Sequence, residues 1–126
     1  MTPTESGPSE PAAAEPIRDR LRTALRAAMR ARDRAAVSAI RATLGAIDNA
    51  ESKGIPAGRA GAIESAALGV GAAEAPRRAL TETEMKALVD AEIADLDSAA
   101  ATHERAGAHD RASELRRGAA GLRALR

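Results

Sequence analysis

The chain has no cysteine, phenylalanine, tryptophan or tyrosine in 126 residues, and each absence removes a class of protein. Without cysteine there can be no disulfide, no thiolate zinc site and no cysteine nucleophile, which is compatible with a reducing compartment. Without aromatics, burial has to come from Leu, Ile, Val, Met and abundant Ala, and nucleic-acid bases have no ring on which to stack. Long hydrophobic runs are missing too. No stretch approaches membrane-spanning length, and the N-terminus lacks the basic and apolar run of a signal peptide, so a soluble cytoplasmic protein is expected. About 90 residues look foldable, enough for one domain that buries roughly 60–70% of its unfolded surface. Such a thin core implies modest stability or support from a second subunit.

What is present is helical punctuation. Thr81 and Glu84 form a capping box, in which the threonine hydroxyl accepts from the backbone N–H three residues on and the glutamate reaches back to the cap. An apolar stripe follows through Met85, Val89, Ile93, Leu96, Ala100 and His103 at helical spacing. Gly107 stops that helix, and Asp110 sits where the first turn of another would welcome negative charge. Upstream, Pro16 suits the first turn of a helix whose apolar face is Ile17, Leu21, Ala24 and Ala28, flanked by Leu25 and Met29. A second face runs through Val37, Ile40, Leu44 and Ile47. These two faces cannot belong to one straight helix: nine residues separate Ala28 from Val37, which at about 100° each carries the stripe to the opposite side. A tight break near Arg32-Asp33-Arg34, with Asp33 capping the second helix, turns both inward. Lys53 and Gly54 close that helix.

The expected organisation is a disordered tail over 1–15, a first hairpin over 16–53, a flexible loop over 54–79 and a second hairpin over 80–126. The tail holds Pro3, Pro8, Pro11 and three glutamates but, past Met1, no bulky apolar residue. Residues 55–79 carry four glycines and two prolines. The fold class is all-α: a four-helix bundle of two antiparallel helical hairpins joined by that loop.

Charge is segregated. Residues 16–53 hold nine basic and four acidic side chains, residues 80–104 one basic and seven acidic, and residues 105–126 six basic and two acidic. Arg18, Arg22, Arg26, Arg30 and Arg34 recur every four residues, an arrangement of like charges that opposes helix formation unless something offsets it. Phosphate is one answer, with Arg41, Arg116, Arg117 and Arg123 as further candidates for a sequence-independent, salt-sensitive contact. The other is that the acidic third helix lies beside the basic helices and neutralises them.

Other constellations point to ordinary structure. His103 and His109 are six apart, unlike two ligands one helical turn apart, so no metal site is expected. Glu92, Asp95 and Asp97 read as a solvated face rather than paired catalytic carboxylates. Gly69-Val70-Gly71 lacks a preceding strand and a P-loop lysine, so no nucleotide cofactor is expected. Ser38, Ser98 and Ser113 read as helix-surface residues.

Residues 27–51 carry Ala28-Met29, Arg32-Asp33, Ile40-Arg41 and Asn49-x-Glu51, and the second half carries LTETE, Glu92-Ile93, Ala106-Gly107 and Asp110. In these the chain resembles the GatB/YqeY domain family over about residues 17–53 and 77–117. It departs from the family at Ala94-Asp95-Leu96-Asp97, where members carry a Lys-Gln-Arg-Arg-like run, and at His103 and Ala108. The resemblance implies a small helical protein similar to the tail domain of the B subunit of glutamine-dependent tRNA amidotransferases, which contacts tRNA. It carries by association a carbon–nitrogen ligase label with glutamine as amido-N-donor. The expected function is therefore a non-catalytic module touching tRNA or an amidotransferase subunit through Arg18, Arg22, Arg26, Arg30, Arg34, Arg41, Arg116 and Arg117. The alternative is a helical protein-interaction or dimerisation module with no RNA role, forming a homo-oligomer.

Overall fold

A computed structural model describes residues 15–54 and 78–126. Among them are four helices and no strand: α1 (Ile17–Ala31), α2 (Arg34–Ser52), α3 (Glu82–Arg105) and α4 (His109–Arg123). The proposed tail and connecting loop lie almost wholly outside the described residues.

Within each pair, α1 with α2 and α3 with α4, the helices run antiparallel, as the ion pairs between them show. Arg18 near the start of α1 reaches Asp48 at 3.2 Å and Glu51 at 2.5 Å near the end of α2. In the second pair, Arg116 bonds Glu104 across the turn, and Arg123 bonds Asp97 further along. The pairs then dock, with α4 packed on α2 as well as α3, and α1 on α2 with a smaller contact to α3. All-α bundling follows.

The local chemistry of the ends is as the residues imply. Thr81 Oγ1 accepts from Glu84 N at 3.1 Å and Glu84 Oε1 accepts from Thr81 N at 3.0 Å, which completes the capping box. Asp33 Oδ1 accepts from Ala36 N at 3.1 Å and starts α2. Pro16 is the extended residue before α1 rather than a member of its first turn, and it supplies no side-chain cap. Ile17 N instead donates to Glu82 Oε1 at 2.9 Å, so a carboxylate from α3 satisfies an otherwise orphaned donor of α1.

Both hairpin turns use the same device. After α3, Gly107 takes φ +83°, its N–H donating to Glu104 O while Ala108 N donates to His103 O. After α1, Arg32 takes φ 58°, with Arg32 N to Met29 O and Asp33 N to Ala28 O. These are two Schellman closures, one built on glycine and the other on an arginine. For a residue with a Cβ the left-handed region is strained.

The core joins Ile17 and Leu21 of α1, Ala39, Ile40 and Ile47 of α2, Met85, Val89 and Ile93 of α3, and Ala119 and Leu122 of α4. A smaller cluster of Ala100, Ala112 and Leu115 sits by the α3–α4 turn. On α2 the buried stripe is rotated from the expected one: Ala35, Ala39, Thr43 and Glu51 are buried with Ile40 and Ile47, while Val37 and Leu44 are only half-buried. The cause is close approach. A Cβ on Gly118 would lie 3.2 Å from Ala39 Cβ and 3.3 Å from Ala35 O, so α4 comes down on the small residues of α2 and leaves the bulkier ones at the margin. Thr43 is tolerated inside because its hydroxyl donates to Ala39 O at 2.8 Å.

The two pairs are clasped at one end by Glu51. Its Oε2 accepts from Arg18 Nη2 at 2.5 Å and from Leu80 N at 3.0 Å, while its carbonyl accepts from Arg78 N at 3.0 Å.

Candidate functional site

The arginines divide sharply by whether a carboxylate answers them. On the α3/α4 face, Arg116 pairs with Glu104, Arg123 with Asp97 and the terminal Arg126 with Asp90. The acidic α3 thus neutralises α4, and Arg116, one of the candidate phosphate contacts, is already engaged. Arg18 is also committed, half-buried between Asp48 and Glu51. Arg117 is exposed on α4.

Along α1 the balance differs. Arg22, Arg26 and Arg30 are exposed and step round the helix by about 40° each, opposite the face that buries Ile17, Leu21 and Ala28. Among the described residues none of the three has a carboxylate partner, and Arg26 touches Thr23 Oγ1 at 3.4 Å. The ladder does not continue smoothly into Arg34, because the left-handed turn at Arg32 intervenes and Arg34 opens α2. Instead the turn folds back on itself to make a notch.

That notch is lined by Met29, Arg32, Arg34, Val37, Ser38 and Arg41. Arg34, Val37, Ser38 and Arg41 share a face of α2 at spacings of three, one and three. Arg32 enters from the turn, and Met29 from the end of α1, where it is 50% exposed. Three arginines therefore line the notch together with apolar Met29 and Val37 and the hydroxyl-bearing Ser38. Asp33 is the nearby acid, and its carboxylate is turned to the N-terminus of α2. Of the notch cations, Arg34 and Arg41 were legible as candidates; Arg32 was visible as part of a break and of the Arg32-Asp33 motif, not as a binding residue.

The remaining candidates separate. Glu92 and Asp97 are five residues apart, about 140° round α3, and Asp97 faces Arg123. They do not form a pair. His103 is half-buried, and His109 Nδ1 is hydrogen-bonded to Glu104. Among the described residues no group of three or more His, Asp or Glu is placed to hold a metal ion. Gly69-Val70-Gly71 lies outside the described residues. No helix among them is long and apolar enough to cross a membrane.

Among the described residues, contacts and burial shift the titration of Glu84, Asp90, Glu92 and Glu104. The Thr81 backbone N–H, and then Arg78, hold Glu84 below its usual 4.5; Arg126 holds Asp90 below its usual 3.8; Arg116 and then His109 hold Glu104 below 4.5. Their contribution to stability is complete above about pH 4.5 and is lost as pH falls through the lowered folded-state values. Glu92 has the opposite sign, since burial and then Asp95 raise its pKa above 4.5. Its stabilising effect exists only while it is protonated, and at neutral pH its charge detracts from the fold. Glu92→Gln is therefore expected to raise the urea midpoint at pH 7 and leave it unchanged at pH 3, where the carboxyl is neutral in both states. A lower midpoint at pH 7 would contradict this.

No family model, curated protein or solved structure matches the chain.

Proposed function

We propose that the chain is a YqeY-like, non-catalytic helical module that contacts tRNA, its arginine face running along α1 to the α1–α2 notch. Any carbon–nitrogen ligase activity with glutamine as amido donor belongs to an amidotransferase with which it acts, because that chemistry needs a nucleotide site and an amidase nucleophile. The observation that carries the reading is that Arg22, Arg26, Arg30, Arg32, Arg34 and Arg41 have no carboxylate partner among the described residues, whereas Arg116, Arg123 and Arg126 are answered by Glu104, Asp97 and Asp90. Like-charged side chains at every fourth position oppose one another, and a polyanion relieves that repulsion. With no aromatics, contact is through phosphates and RNA shape rather than base stacking.

The second reading, a protein-interaction module with no RNA role, is favoured by Met29, which stands half exposed beside Val37. The two readings respond differently to salt. Fluorescence anisotropy with bulk tRNA is expected to give an affinity that falls with salt at a log–log slope of roughly −3 to −5, for four to six phosphate contacts. The double change Arg26→Glu and Arg30→Glu should lower affinity at least about tenfold with helicity intact. Absence of binding at low salt removes the RNA reading and leaves the interaction module.

A further inference from the structure

Resting on the tRNA-contacting reading, we infer that the notch between the end of α1 and the first two turns of α2 seats the terminal phosphate of the RNA, with Arg32, Arg34 and Arg41 around it. The stoichiometry of charge argues for this group. An internal phosphodiester carries a single negative charge, and cations spread along a helix, such as Arg22, Arg26 and Arg30, match a row of them. A terminal monoester carries about −1.5 to −2 at neutral pH and three oxygens that accept strongly, which calls for several guanidinium groups around one point. The notch supplies three, and Ser38 adds a hydroxyl. Met29 and Val37 offer an apolar wall to the sugar of the end nucleotide.

Backbone strain points to the same place. The chain closes α3 with glycine at φ +83°, the economical solution, yet closes α1 in the same motif with Arg32 at φ 58°. Arg32 is the one non-glycine residue with positive φ among those described. Strain of this kind persists only where the surroundings over-determine it, and such positions cluster at functional sites. What the arginine adds over glycine at that position is a guanidinium on the rim of the notch.

Arg32→Gly separates the two roles, because it relieves the strained turn while removing the cation. Binding is compared for tRNA with its 5′-phosphate and tRNA treated with phosphatase, alongside thermal unfolding. The wild type is expected to prefer the 5′-phosphorylated RNA by on the order of tenfold. Arg32→Gly should raise Tm by a few degrees and lose most of that preference, its affinity for the phosphorylated RNA falling more than its affinity for the dephosphorylated RNA. Arg41→Gln, on the other wall, should lose the preference without the gain in Tm. Equal binding of both RNAs by the wild type overturns the notch as a terminal-phosphate seat and leaves the arginine-face reading standing. Failure to bind either RNA overturns both. A stable Arg32→Gly variant that keeps the full preference overturns the role of Arg32.

Discussion

Replacing Glu51 with alanine is expected to cost about 3–5 kcal/mol of stability, a large part of the total for a domain of this size. The side chains of Glu51 and Arg18 are only 8% and 17% exposed, so the guanidinium cannot recover full hydration when Glu51 goes and keeps only the exposed Asp48 as a partner. Leu80 N, buried against the same carboxylate oxygen, is orphaned in the same step. Three segments lose their common anchor at once: the start of α1, the end of α2 and the entry to α3. Urea unfolding followed by circular dichroism measures the effect. Glu51→Gln retains an acceptor for Leu80 N and should lie between wild type and Glu51→Ala. A loss below about 1 kcal/mol for Glu51→Ala would put this pair in the class of exposed ion pairs and dissolve the clasp.

Leu21→Ala is expected to be comparably damaging, at about 3–5 kcal/mol, with Tm falling by 4–8 °C for each kcal/mol. Leu21 is completely buried and meets the main core from α1. No aromatic side chain is available to swing into the space, and the alanines around it are too short to fill it. Leu115, in the smaller cluster near the α3–α4 turn, provides the comparison. Its alanine variant should stay near 2 kcal/mol, the lower end for such deletions, because Leu115 is less completely buried and its cluster is small. Equal losses at the two positions would mean that the clusters form one cooperative core.

The parts of the fold legible in the sequence are those written in local chemistry. Thr81 with Glu84, Asp33, Gly54 and Gly107 each act within a few residues of themselves, and the structure uses them as read. The phase argument between Ala28 and Val37 located the α1–α2 turn for the same reason. The face of α2 was harder. Weighting bulk selected Val37 and Leu44, but the approach of Gly118 rewards smallness, and no property of α2 alone reveals where another helix will press against it. Glu51 illustrates a different difficulty, since its partners Arg18 and Leu80 are 33 and 29 residues away in sequence. At the candidate site, the arginines of α1 were visible as a ladder. Which of the cations would be quenched was not, because that depends on the way α3 turns its acidic side to α4 and away from α1.

The acidic side of α3 has one more consequence. Asp90, Asp97 and Glu104 are spaced by seven, as are Arg116 and Arg123 on α4. In an antiparallel pair such spacing acts like the teeth of two combs. Slipping α4 by one helical turn would set Arg116 against Ala100 or Ala108 and Arg123 against Ile93 or Ala101, so both teeth would miss. Slipping it by a full seven would let Arg116 meet Asp97 and Arg123 meet Asp90, and the charges alone would accept that error. The tight turn at Ala106, Gly107 and Ala108 is too short to allow it. Coarse alignment therefore belongs to the turn and fine alignment to the charges, so lengthening the turn by one heptad would make the hairpin ambiguous while every ion-pairing residue stayed in place.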